Sequence, residues 1–394
     1  MRDVVIVDAV RSAVGRRNGA LAHKHANDLL GDVVLSLLER TGVEPATVGH
    51  VVGGCVQQVG AQASNVTRNA WLAAGLPLDV PAVTVNTQCG SSQEATTLSH
   101  ALVASGLCEV VVGCGVETMS AIPMGSTVPT EPDLGQPRSG RYLDLYEPTT
   151  QFEGAERIAE RWALSRPELE AFAKRSQDRA AQAWTEGRFD TQVVPVEVPV
   201  SDDEGKIVGT KVFDRDEGMR DTTLEGLAAL KPNLRDRDPA FHTAGTSSQI
   251  SDGAAALLLT TPEYAERLGL PVRGRLVDSV LVGSDPELML TGPMPATRAL
   301  LQRTGTSIED VDLFEVNEAF ASVVLAWQKE LDVDAEKVNP NGGAIALGHP
   351  LGATGVILLT KALHELERFG GTRALVSMCC GGGLGTGTVL ERVN

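Results

Sequence analysis

The stretch Val85-Asn86-Thr87-Gln88-Cys89-Gly90-Ser91-Ser92-Gln93-Glu94-Ala95 decides how the rest of the chain is read. Before it, Ala82-Val83-Thr84-Val85 is a β-rich run that stops at a polar turn. After it, small or apolar residues at Ala95, Leu98, Ala101, Leu102 and Ser105 recur at the spacing of a buried helix face. Cys89 therefore falls at a strand–helix joint, at or just before the first helical turn. Unpaired backbone N–H groups and the positive end of the helix dipole favour a thiolate there. Gly90 lets another backbone or a ligand approach the sulfur closely. From this stretch alone, a small buried cysteine packing the joint is the competing reading.

Working outward, the same unit returns in the second half. Val85-Asn86 leads to the Cys89 turn, a helix and the apolar run Val110-Val111-Val112. Val338-Asn339-Pro340-Asn341-Gly342-Gly343 leads to a glycine-rich loop, a helix over 356–366 and a strand over 374–378. Strand signals at 3–8, 51–56, 252–259 and 274–283 alternate with helical patterns at 27–39 and 65–74. Together these predict two similar α/β halves packed on one another, with a boundary near Gly269-Leu270-Pro271. The rhythm lapses between about 119 and 246, where Pro, Gly, Arg and Asp accumulate. A charged helix pair (155–163 and 166–186) and a strand-like stretch (193–200) mark this as a long excursion inserted into the first half.

Composition narrows the function. The chain has 394 residues, enough for two or three units. Its net charge of −17 disfavours nucleic acid, and its few aromatics offer no stacking platform for bases. Six scattered cysteines lack a C-x₂-C pair, which argues for reduced thiols and against structural zinc. No apolar stretch is long enough to span a membrane, and the N-terminus reads as a first strand rather than a signal peptide. A cytoplasmic protein is expected.

Three further stretches place reactive side chains beside glycine. In Val316-Asn317-Glu318-Ala319-Phe320, Asn317 either caps the following helix or offers its amide to a water or a carbonyl oxygen. In Gly348-His349-Pro350-Leu351-Gly352, His349 is the one histidine set in a dense glycine framework. In Ser377-Met378-Cys379-Cys380-Gly381-Gly382-Gly383, side-chain alternation allows only one of the two cysteines to face a given site. The glycines there are no phosphate loop, but Gly381 could expose an N–H to a reacting oxygen.

These motifs, with Ala244-Gly245-Thr246-Ser247-Ser248 and Asp252-Gly253-Ala254-Ala255, resemble the thiolase family in order and spacing from Met1 to Asn394. The resemblance implies a five-layered αβαβα fold of two similar halves with an inserted loop domain. The core would comprise 1–118 with 249–270 and then 271–394; the loop domain, 119–248, would hold coenzyme A. It implies Cys89 as the acylated nucleophile, His349 as its activator and Cys379 as acid/base. Asn317 acting through a water would join His349 at one oxyanion, and the N–H groups of Cys89 and Gly381 would serve the other. Arg220, Ser248 and Ala244 would contact coenzyme A, which is a co-substrate. No metal or permanently bound cofactor is required. Acyl-CoA and coenzyme A are the expected partners, with no nucleic acid or membrane, in a homodimer or homotetramer.

The implied reaction is ping-pong cleavage of a 3-ketoacyl-CoA by coenzyme A. Departures from the short-chain biosynthetic pattern point to longer or bulkier acyl groups, as in fatty-acid or sterol side-chain breakdown. They are Gln151-Phe152 in place of a Met-Gly pair, Thr246 in place of Asn, Ser92-Gln93 in place of Gly-Leu, and a short turn at 239–243. The alternatives are a short-chain acetyl-CoA acetyltransferase, a decarboxylating ketoacyl synthase, and a non-catalytic acyl-CoA or lipid binder.

Overall fold

The computed structural model describes residues 2–128, 134–202 and 206–393. Its main sheet has two halves. From the centre outward, the first half runs Val5–Ser12, Ser251–Thr260, Val110–Thr118, His50–Gly54 and Ala82–Val85. The second runs Gly274–Gly283, Leu384–Arg392, Arg373–Cys380 and Leu313–Val316. A short antiparallel pairing, Val5 with Arg275 and Ile6 with Gly274, joins them into one ladder.

Strands Val110–Thr118 and Ser251–Thr260 are buried at every position, as expected when both faces of a sheet are covered. Helices Ala26–Thr41 and Val66–Ala73 cover the outer face of the first half. Pro293–Thr304 and Ala321–Leu331 cover the outer face of the second. Between the halves lie Ser91–Ala104 and Thr354–Phe369. Their Ala95, Val103, Val356 and Leu363 share one core with Val111 and Leu257 of the first half and Val376 and Leu390 of the second. This is the αβαβα stack in five layers, and the two middle helices are the two helices of the sequence echo.

Those helices meet at their N-terminal ends. A Cβ on Gly355 would overlap the Gln93 backbone, so glycine is what permits the approach. The Val356 N–H donates to Ser92 Oγ at 3.1 Å across the same junction.

The excursion between Thr118 and Ser251 contains helices Gln151–Arg161 and Arg166–Thr185. The first begins four residues before the position expected from periodicity, because the Thr150 side chain caps it by accepting the Glu153 N–H. The strand-like stretch at 193–200 divides in two. Val193–Val194 pairs in parallel with Arg11 and Ser12, and Val196–Ser201 forms a hairpin with Ile207–Phe213. Val196, Val198 and Phe213 enter the core of the first half. A fully buried ion pair, Arg11 with Asp216 at 2.8 Å, fastens the excursion to the central strand.

Candidate active site

Cys89 stands one residue before the N-cap, Gly90, of helix Ser91–Ala104. The turn that presents it is held by its own polar side chains. The Gln88 N–H donates to Asn86 Oδ1 at 2.9 Å, and Gln88 takes a left-handed φ of 51°. Ser91 Oγ accepts the Thr87 N–H at 2.9 Å and donates to Gln88 O at 2.6 Å. Cys89 remains partly exposed, whereas Cys379 and Cys380 are buried.

The expected preference for a thiolate at this joint is overridden. Burial pushes the Cys89 thiol up to about 11, although the N–H groups of Gly381 and of Cys89 itself point at the sulfur and pull the other way. Cys89 is thus held as a neutral thiol at physiological pH, and a nucleophilic role would need a base to take its proton.

His349 lines the same cavity as Cys89. Burial lowers its pKa to about 4, so it is neutral at physiological pH. Its Nδ1 lies 2.6 Å from Thr354 Oγ1, and the Thr354 hydroxyl donates to Pro350 O at 2.9 Å. With the hydroxyl hydrogen so engaged, Nδ1 carries the ring proton and Nε2 keeps its lone pair. The Asn317 side-chain N–H approaches that Nε2 at 3.4 Å. Asn317 is not a helix cap: the next helix starts at Ala321 with Phe320 as its cap residue. Asn317 Oδ1 is buried without a partner among the described residues, which suits an acceptor that holds a water.

Strand Arg373–Cys380 ends at the two cysteines. Burial raises the Cys379 thiol well above its ordinary pKa, and the neighbouring Cys89 and Cys380 add to the shift. Cys380 faces the other way, under the Cys89 turn. A Cβ on Gly90 would fall 2.6 Å from its sulfur, and its thiol donates to Met378 O at 4.0 Å. Packing beneath Gly90 accounts for Cys380.

Cys89, His349 and Gly381 line one cavity of about 520 Å³ together with Arg220, Ala244 and Ser248. Asn317 and Cys379 stand behind that surface, buried at 1% and 0% exposure. The apolar wall consists of Met119, Met124, Phe152, Leu290, Phe320 and Leu351. A smaller cavity of about 220 Å³ shares Arg220, Ala244 and Gln249 with it. Among the described residues, the larger lining carries Arg16, Arg17 and Arg220 and no carboxylate, on a chain of net charge −17. That local excess of positive charge suits an anionic ligand.

Of the sequence departures, Gln151 and Phe152 line this cavity, but Gln93 and Thr246 do not. Thr246 is bound within its own turn, to Thr243 and His242. Gln93 points into the core between the halves. Sequence reasoning missed Thr354 and the Arg16-Arg17 pair. The adjacent arginines in an acid-rich chain were a usable signal; Thr354 gave none.

Two family models match the chain, the thiolase N-terminal domain over residues 4–263 and the thiolase C-terminal domain over 270–392. A steroid 3-ketoacyl-CoA thiolase, FadA6, of Mycobacterium tuberculosis is 45% identical, covering 100% of this chain and 95% of that protein. A 3-ketoacyl-CoA thiolase of Aliivibrio fischeri is 40% identical over the full length of both. The crystal structure of the Bacillus anthracis acetyl-CoA acetyltransferase superposes with a TM-score of 0.91 at 37% identity, covering 100% of this chain and 99% of that one. The chain belongs to the thiolase family, acyltransferases that cleave 3-ketoacyl-CoA with coenzyme A.

Proposed function

We propose that cleavage proceeds through an acyl group on Cys89. His349 Nε2 takes the Cys89 proton as the sulfur attacks the 3-keto carbon, and the resulting imidazolium N–H turns toward substrate oxygen. Collapse of the adduct breaks the bond between the second and third acyl carbons. The acetyl-CoA enolate leaves and takes a proton from Cys379. Coenzyme A, giving its thiol proton to the Cys379 thiolate, then attacks the acyl-Cys89 thioester, and the shortened acyl-CoA leaves as the Cys89 sulfur recovers its proton from the His349 imidazolium. The N–H groups of Cys89 and Gly381 stabilise one oxyanion; His349 and a water on Asn317 stabilise the other. The observation that carries this reading is that Cys89 and a neutral His349, its Nδ1 engaged by Thr354, line one cavity together with Gly381.

In this reading residues 119–248 act as the loop domain that holds coenzyme A, with Arg220 toward its phosphates and Ala244 and Ser248 along its pantetheine arm. The shared lining of the two cavities supports it. For the acyl group we infer a long or bulky chain. The volume and the apolar wall of Met119, Met124 and Phe152 support this, as does the steroid substrate named for the 45% identical relative. A short-chain acetyl-CoA acetyltransferase is the second reading, favoured by the Bacillus anthracis structure. We further expect no permanently bound cofactor, a homodimer or homotetramer, and a cytoplasmic location; six free cysteines suit a reducing compartment.

Thiolysis of 3-ketoacyl-CoA esters from acetoacetyl to long-chain and steroid-bearing tests the substrate. Rates that rise with acyl size and vanish in Cys89→Ala support the first reading. Turnover of acetoacetyl-CoA alone moves the assignment to the second.

A further inference from the structure

We propose that Gln93 is a positioning residue that fixes the Cys89 turn against the Cys379 strand and thereby sets the rate of carbon–carbon cleavage. This rests on the roles proposed for those two thiols. They come from different halves of the molecule, and their relative placement depends on how the halves are locked together.

Gln93 lies in the first turn of helix Ser91–Ala104 and is fully buried. Its Nε2 donates to Val376 O and to Thr388 Oγ1, each at 3.0 Å. Its Oε1 accepts from Thr386 Oγ1 at 2.6 Å. Both amide hydrogens and the carbonyl are thus used, all on the hairpin that carries Cys379. Val376 is three residues before Cys379 on the same strand, and Thr386 is paired with Met378 in register. Thr386 also reaches back to the nucleophile turn: a Cβ on Gly90 would fall 2.7 Å from its methyl. One amide and one threonine therefore tie both sides of the site together. A fully satisfied buried network of this kind rigidifies its surroundings. A leucine, as in the short-chain pattern, would fill the space without any of these bonds. Because Gln93 is absent from the cavity lining, its effect falls on rate and not on acyl-chain preference.

Two reactions separate the roles. Exchange of free coenzyme A into acetyl-CoA moves the acetyl group to Cys89 and back, and the proton passes from Cys89 through His349 to the departing sulfur. Thiolysis additionally needs Cys379 to protonate the enolate carbon while the acyl group stays on Cys89. The test compares Gln93→Met, Thr386→Val and Thr386→Ser with wild type for thiolysis, for exchange of labelled coenzyme A, and for thermal unfolding. The expected result is a loss of about tenfold or more in thiolysis kcat for Gln93→Met and Thr386→Val. KM and exchange should stay within about threefold of wild type, and Thr386→Ser, which keeps the hydroxyl, should restore the rate. Thiolysis and exchange falling together would overturn the proposal. So would a lowered melting temperature with thiolysis kcat unchanged. Cys89→Ala should abolish both reactions; thiolysis surviving in that variant would instead overturn the underlying reading of the nucleophile.

Discussion

In the proposed mechanism, replacing His349 with alanine removes the group that takes the proton of a thiol that burial holds at about 11. Without that base, attack must wait for spontaneous ionisation. At pH 7.5 a thiol of that pKa is ionised in about 3 molecules per 10,000, a penalty of roughly 5 kcal/mol. General-base catalysis typically recovers about 10²- to 10⁴-fold, so the loss should fall near 10³-fold in thiolysis at pH 7.5. The variant also acquires a signature. Its rate should climb about tenfold per pH unit from 7.5 toward 10, as hydroxide supplies the thiolate, while the wild type stays nearly flat. Steady-state thiolysis and the rate of iodoacetamide inactivation, each followed against pH, read the same ionisation. A His349→Ala protein within tenfold of wild type at pH 7.5, or one without the pH slope, would refute the assignment of a neutral thiol–imidazole pair.

Acid should unfold the protein through its buried histidines. His242, His349 and His364 are each lowered to about 4, mainly by burial, from an ordinary value of 6.5. Their contribution is intact above pH 6.5 and is lost as pH falls toward 4, because the unfolded chain binds the protons first, at a cost on the order of 3 kcal/mol per histidine. Urea unfolding between pH 7.5 and 4.5 checks this; stability that is flat across the window counts against it. Lys361 lies 2.8 Å from the fully buried Glu315, whose carboxyl burial raises to about 7 even with that partner. Lys361→Met should cost about 3–5 kcal/mol in urea unfolding, and adding Glu315→Gln should recover much of it. Arg220→Ala should raise the KM for coenzyme A about tenfold at low salt, with a smaller effect at high salt as screening grows. Unchanged salt dependence would remove Arg220 from the phosphate site.

Much of the fold was legible because period and punctuation agreed. The strand at 274–283 is present as read, and Asn65 caps its helix where the pattern begins. The echo between the Cys89 unit and the 338–378 unit foretold the two middle helices. The hairpin Val196–Ser201 with Ile207–Phe213 was only half visible, because its second strand is largely exposed and carries no apolar alternation. At the site, glycine-flanked reactive residues pointed to Cys89 and His349, which line the cavity, and to Cys379, which is buried behind it. Their electrostatics could not be read from sequence. A helix N-terminus favours a thiolate, but burial by residues distant in sequence outweighs it. The departures at Gln93 and Thr246 misled for the same reason: spacing does not tell whether a side chain faces the cavity or the core. Thr354 sits only five residues after His349, yet its role depends on how the loop folds back.

The most direct test of the central claim is to mix the protein with a 3-ketoacyl-CoA in the absence of free coenzyme A, quench, digest, and weigh the peptides. The account predicts an acyl mass on the Cys89 peptide, with release of acetyl-CoA in equal amount and disappearance of the adduct on adding coenzyme A. An adduct on Cys379, or acetyl-CoA release with no adduct at Cys89, would contradict it.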